Sequence, residues 1–154
     1  MNNTRSGKLF YVIGPSGSGK DRLMKFARSR LGAVGKIIFA HRYITRPPEA
    51  RGENHIYLGH EEFENRKNQG FFSMHWESHD LSYGIGCEIN LWLTNGYDVV
   101  VNGSRAYLSN AIKIYPEIQV ILVSTSPEVL RNRLLRRNRE TPEEIEERLR
   151  RASM

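Results

Sequence analysis

An α/β fold, in which a parallel sheet is flanked by helices, is predicted for this 154-residue chain by three observations. Short apolar runs alternate with stretches of helical composition that carry helix start and stop signals. The first apolar run leads through a glycine-rich loop straight into a helix. The alternation breaks between residues 55 and 86, where short strands follow one another, so a small inserted unit is expected there. Strands separated by helices pair in parallel, because each helix carries the chain back across a sheet face.

Taken in order, Leu9–Ile13 is the first buried strand, and Asp21 to about Leu31 is a helix ended by Gly32. Lys36–Ala40 is a second apolar strand. Residues 41–58 are mostly polar and contain Pro47 and Pro48, so they read as an extended segment and loop closing on a short strand at His55–Leu58. His60–Gln69 is helical and stops at Gly70. Phe71–Trp76 and Leu81–Ile85 read as two strands around a polar turn that holds Glu77 and Asp80. Glu88–Thr94 is a helix ended by Asn95-Gly96. Asp98–Val101 is a β-branched strand followed by Asn102-Gly103-Ser104-Arg105. Ala106–Ile114 is helical and Ile118–Val123 is the fourth core strand. Ser126-Pro127 opens a helix to about Arg136, with proline in its first turn. Thr141-Pro142-Glu143-Glu144 opens the last helix, to about Ala152.

The length suits one domain, residues 1–154. Hydrophobic content of 39% and charged content of 26% describe an ordinary water-soluble composition. No apolar run approaches a membrane span, and MNNTRSGK has no apolar leader core, so a cytoplasmic protein without a membrane partner is expected. Cys87 is the only cysteine, which rules out an intrachain disulfide. Lys+Arg 23 against Asp+Glu 17 leaves +6, with arginines concentrated at 42–51 and 131–151. Such a balance generically suggests nucleic acid. Without an aromatic RNA-binding signature, a site for several phosphates accounts for it better, since the guanidinium fork matches phosphate oxygens. No histidine or cysteine spacing suits zinc.

The loop itself is Gly14-Pro15-Ser16-Gly17-Ser18-Gly19-Lys20-Asp21. After an apolar strand and before a helix, the GxxxxGK spacing is that of a phosphate-cradling P-loop. Backbone N–H groups can surround a nucleotide's phosphates only if the chain curls tightly, and Gly14, Gly17 and Gly19 supply that freedom. The helix that follows aims its unpaired N–H groups and positive dipole end at the same anion. Lys20 can bridge the β- and γ-phosphates of a nucleoside triphosphate. Asp21 stands where Ser or Thr usually ligates magnesium. It is either a plain helix-start carboxylate or a Mg²⁺ ligand, and the second is favoured because a carboxylate beside phosphates needs a cation between them.

The order of elements resembles the nucleoside monophosphate kinases, and guanylate kinase among them. GPSGSGK matches that family's loop. Thr45–Glu53 resembles its arginine-bearing substrate segment, and Gly70–Ile85 its substrate-binding strand pair, with Tyr83-Gly84. Arg133–Glu144 resembles its lid, expected at about 133–148, with the substrate-binding insert at about 41–95. There are departures. His75 stands where the family has a guanine-binding glutamate, and His55 where it has a phosphate-contacting tyrosine. Arg42 is an added arginine. Asn102-Gly-Ser-Arg105 replaces an acidic pair, and no counterpart of the family's further strand and helix after the lid is expected before Met154, so the chain is either a fragment or a short variant. A guanine pocket without its carboxylate would leave the base's donors unpaired, at a cost of about 1–3 kcal/mol.

Further strings, GPSGSGKD, AHRYITR, GENHI, YGIGCEIxLWL and VNGSRA, resemble the ribose 1,5-bisphosphate phosphokinases, guanylate-kinase relatives of phosphonate breakdown. That resemblance implies ATP-dependent phosphorylation of a phosphorylated sugar, ribose 1,5-bisphosphate, to 5-phosphoribosyl 1-diphosphate. A substrate with two phosphates and no base explains losing a glutamate and gaining an arginine. Lys20, Arg46, Arg137 and Arg148 would then be catalytic. The loop from Gly14 to Asp21 would bind ATP, with Asp21 on Mg²⁺. Arg42, Arg46, Arg51, His55, His75, Tyr83 and Arg105 would bind the acceptor. The plainer alternatives are solvated surface arginines, structural histidines, and core roles for Phe71, Trp76 and Trp92. The competing functions are guanylate kinase itself and a silent guanylate-kinase-like binding module.

Overall fold

A computed structural model describes residues 5–15, 17–49 and 53–153. The elements are β1 (Leu9–Ile13), α1 (Lys20–Leu31), β2 (Ile37–Phe39), β3 (Tyr43–Ile44), β4 (Ile56–Tyr57), α2 (His60–Asn68), β5 (Phe72–Ser78) and β6 (Leu81–Gly86). They continue with α3 (Glu88–Thr94), β7 (Asp98–Asn102), α4 (Leu108–Ile114), β8 (Gln119–Leu122), α5 (Pro127–Arg137) and α6 (Pro142–Ala152). None of the described helices is long and apolar enough to cross a membrane.

The four strands read as core strands form one parallel sheet in the order β2-β7-β1-β8, but the edge strand β8, expected to be buried, is exposed at every residue because no further strand pairs beyond it among the described residues. Alternation along β1 puts Leu9, Tyr11 and Ile13 on one face, where they pack with Val99 and Val101 of β7, Ile89 of α3 and Ala111 of α4. Tyr11, Val99 and Val101 are completely buried, which stabilises by about 1.5–3 kcal/mol for each valine. β1 and β7 are adjacent and central, so the loops after them, at residues 14–19 and 103–107, leave the same edge of the sheet side by side. Open α/β sheets bind ligands at this edge.

The insert contains a second sheet, β4-β3-β6-β5, in which β3 pairs parallel to β4 and antiparallel to β6. β3 lies in the stretch expected to be a loop. The pairing satisfies its backbone against β6 and lets Ile44 be fully buried, an outcome that polar neighbours such as Arg42 and Thr45 hide in the sequence. Met74 and Ile85 of this sheet join the main core, and α3 packs on β7. The strands of the insert therefore lie within 43–86, and α3 belongs with the central core.

The last two helices pair through Leu130, Leu134, Ile145 and Leu149. Each has a local start signal that works as its sequence suggests. Ser126 caps α5 by accepting the Val129 N–H, with Pro127 in the first turn. Thr141 and Glu144 form a reciprocal capping box at α6.

Candidate active site

Gly17 and Gly19 adopt φ of 85° and 90°, the left-handed region that other residues enter at a cost. Gly14 is needed for a different reason from the one expected: its φ is not positive, but a Cβ there would lie 2.5 Å from the carbonyl oxygen of Val123. The curl ends at Gly19, and Lys20 begins α1. The buried hydroxyl of Ser18 has no hydrogen-bond partner among the described residues. An unpartnered hydroxyl in a loop that curls into a helix N-terminus fits the phosphate tail that the spacing implies. Burial pulls the Lys20 ammonium below its ordinary pKa. The nearby Arg42 charge acts in the same direction, while Asp21 and Glu53 oppose it.

Asp21 lies exposed beside the loop, and its Oδ1 accepts a 3.3 Å hydrogen bond from the Asn102 amide. No group of three or more His, Cys, Asp or Glu side chains among the described residues is arranged to hold a metal. The set fits magnesium bound largely through phosphate and water oxygens with a single protein carboxylate, the habit of that ion in nucleotide sites.

Across the cleft, Arg42 forms a fork with Glu53. Its Nε donates to Oε1 at 2.7 Å, and its Nη2 donates to Oε2. The guanidinium carbon sits 5.0 Å from the centre of the Tyr83 ring. Tyr83 in turn stacks on Trp76 at an interplanar angle of 2°, and Trp76 packs on Tyr107. The β7–α4 loop is held from below. The Tyr11 hydroxyl donates to the Ser104 carbonyl and accepts the Ser104 N–H, both at 2.8 Å. Gly103 is required here, because a Cβ would fall 2.2 Å from the Tyr11 ring.

The α5–α6 hairpin closes the third side. Arg133 Nη1 donates to the carbonyls of Ser18 at 3.0 Å and Gly17 at 3.3 Å, fastening the hairpin to the P-loop. Arg148 pairs with Glu140 at 2.5 Å. The result is an open cleft of about 1030 Å³. Gly14, Pro15, Gly17, Gly19, Lys20 and Asp21 line one side, Arg42, Trp76, Tyr83 and Arg105 another, and Arg133, Arg137 and Arg148 the third.

The structure thus brings most of the expected residues to one cleft. Ser18 is buried at the loop rather than on the cleft surface. Ser16 and Arg51, also expected there, lie outside the described residues. Two histidines do not reach the cleft. His75 is exposed on β5, on the opposite face from its neighbour Trp76, because successive strand residues point to opposite sides. His55 is buried with both ring nitrogens on backbone carbonyls, Nδ1 on Glu53 at 2.9 Å and Nε2 on Arg46 at 2.6 Å, so it cross-links the two ends of the loop between β3 and β4. Arg46 lies beside the cleft rather than lining it, with Nη2 3.8 Å from Glu53. Phe71, expected in the core, is exposed, and Trp76 both packs on the core and lines the cleft.

Sequence reasoning missed Arg133, Glu53, Ser104, the last β5 residue Ser78 and the turn residue His79, of which all but Glu53 line the cleft. Arg133 carried a signal: it precedes Arg137 by four residues on one helix, so both share a face. Glu53 carried none, since its partners lie on other elements.

No protein-family model matches the chain. It is 58% identical, over 95% of its length and 77% of the relative's, to ribose 1,5-bisphosphate phosphokinase PhnN of Thiobacillus denitrificans. It is 53% identical to the protein of the same name in Psychromonas ingrahamii, covering 95% of this chain and 74% of that one. For the Desulfomicrobium baculatum protein of that name the identity is 54%, over 96% and 79%. Guanylate kinase from Anaplasma phagocytophilum superposes with a TM-score of 0.70 at 17% identity, over 97% of this chain and 70% of that one, which establishes the shared fold. Identity above one half, sustained across nearly the whole chain, makes the assignment: the chain belongs to the ribose 1,5-bisphosphate phosphokinase family.

Proposed function

We propose that this chain transfers the γ-phosphoryl group of ATP to the 1-phosphate of ribose 1,5-bisphosphate, giving 5-phosphoribosyl 1-diphosphate and ADP. The identity of 58% to a protein named for this activity carries the reading. A cleft lined by a P-loop on one side and by Arg42 and Arg105 on another supports it, because two phosphorylated molecules must meet there.

The acceptor is already an anion, so no general base is required. The protein's work is alignment and charge neutralisation. Lys20 and the loop N–H groups hold the donor phosphates in place. Asp21 is the residue that would hold magnesium, which when bound neutralises phosphate charge. Arg42 and Arg105 orient the acceptor phosphate, with Arg46 behind them. Arg137 and Arg148 face the cleft from the hairpin and stabilise charge on the transferred group. Trp76 and Tyr83 give the acceptor side an apolar wall, with no carboxylate among its described lining residues to pair a guanine base.

A coupled ADP-release assay with ribose 1,5-bisphosphate or GMP as acceptor tests the assignment. Turnover is expected with the sugar bisphosphate and to be far weaker with GMP. Faster turnover of GMP would overturn it in favour of guanylate kinase, and failure to bind ATP with Mg²⁺ present would favour a silent binding module.

A further inference from the structure

Glu53 takes no part in the reaction as described above, yet four groups converge on it. Its carboxylate accepts Nε and Nη2 of Arg42, lies 3.8 Å from Nη2 of Arg46, and accepts Nδ2 of Asn102 at 3.2 Å. The same Asn102 nitrogen donates at 3.3 Å to Oδ1 of Asp21 beside the P-loop. The Glu53 side chain is only 16% exposed and is absent from the cleft lining, so it stands behind Arg42. Burial pushes its carboxyl up, but the hydrogen bonds and charge of Arg42, with help from Asn102 and Arg46, outweigh burial and hold it below the ordinary carboxylate range.

A carboxylate near an anionic substrate normally repels it. Here the guanidinium lies between, so the anion meets a cation whose orientation is already set. Arginine has five N–H donors, and the fork to Glu53 engages Nε and Nη2, which leaves Nη1 without a partner among the described residues. The Tyr83 ring packs against the same guanidinium. An arginine held on one edge and one face loses little further freedom when its remaining edge binds phosphate.

We propose that Glu53 is a positioning residue for the acceptor: it fixes the Arg42 guanidinium toward the cleft and, through the Asn102 amide, ties that guanidinium to Asp21 at the donor loop. This rests on the acceptor role of Arg42 proposed above. The bridge spans residues 21, 53 and 102, which come from three separate elements or loops, so it sets the distance between the donor and acceptor sides.

The test uses the full chain carrying Glu53→Gln, Glu53→Asp, Arg42→Ala, and the Glu53→Gln/Arg42→Ala double substitution. Losing a charge-assisted hydrogen bond to Arg42 predicts an acceptor KM raised about tenfold or more in Glu53→Gln. The KM for ATP and ATP binding by calorimetry stay near wild type, which also shows that the variant is folded. Glu53→Asp recovers part of the acceptor affinity, because the charge is kept. In the Arg42→Ala background, Glu53→Gln adds little, since the residue it positions is gone. An unchanged acceptor KM in Glu53→Gln, or effects of the two substitutions that simply multiply, would overturn the proposal. If Glu53→Gln fails to fold, Glu53→Asp takes its place in the cycle, and an acceptor KM unchanged by that shortening would overturn the proposal equally. Should the wild type turn over GMP instead, the reading of the function fails, and the same cycle run with GMP still decides whether Glu53 acts through Arg42.

Discussion

Replacing Tyr11 with Phe removes a single oxygen atom from a ring that is completely buried, so no cavity of any size results. What is lost is the hydroxyl's double contact with Ser104, a 2.8 Å bond donated to its carbonyl and a 2.8 Å bond accepted from its N–H. Both backbone groups of Ser104 then stand part-buried without their partner. At about 0.5–1.5 kcal/mol net for each bond, Tyr11→Phe should cost roughly 1–3 kcal/mol. In a chain of 154 residues, 2 kcal/mol corresponds to a fall in Tm of about 6 °C. The pH dependence offers a second check. Burial, partly offset by the Ser104 bond, pushes the Tyr11 phenol up from 10.0 to about 12. A folded pKa above the unfolded one means that the stabilisation is complete below pH 10 and is lost as pH rises from 10 toward 12. Phe has no such titration. Urea denaturation of both proteins at neutral pH and at steps from pH 9 upward should therefore show a gap of about 2 kcal/mol that changes only above pH 10. Tyr43 and Tyr115 are raised by burial as well, but they are present in both proteins and cancel in the difference. A gap below about 0.5 kcal/mol at neutral pH, or one that stays constant through the alkaline range, would refute the reasoning.

Further outcomes are expected elsewhere. Lys20→Met should abolish phosphoryl transfer while leaving Tm the same or higher, since it removes a partly buried charge whose pKa desolvation already lowers; steady-state turnover and a thermal scan check this. Asp21→Ala should lower turnover at limiting Mg²⁺ by about tenfold or more, with recovery as Mg²⁺ is raised, measured by magnesium titration of the rate. Thr141→Ala breaks the capping box of α6 and should cost about 1 kcal/mol by urea denaturation. Glu53, held below its usual 4.5, contributes stability that is present above that pH and lost as pH falls through its folded value. An acid titration of stability should thus be shallower in Glu53→Gln than in wild type below about pH 4.5.

Much of the site could be read locally. The P-loop is one contiguous run, and its strand and helix follow from apolar patterning on either side. Helices α5 and α6 announce themselves through Ser126-Pro127 and Thr141-Pro142, whose caps depend on residues within three positions. The side of the cleft formed by the insert could not be read in this way. Strand alternation says that His75 and Trp76 face opposite ways, but only the packing of β5 on β6 and on the core decides that Trp76 meets the cleft. His55 looked like a ligand from its chemistry, and two backbone carbonyls claimed both of its nitrogens.

By itself the sequence determined that this chain binds phosphates on a parallel α/β scaffold, because those properties depend on spacing within short windows. The tertiary structure decided which groups work together: Arg42 with Glu53, Tyr11 with Ser104, and Arg133 with the P-loop. Tyr11 and Ser104 lie 93 positions apart, and Arg133 and Ser18 lie 115 apart. Such pairs form only once sheet order and helix packing bring distant segments into contact. Their partners share no local period that a reading along the chain could detect.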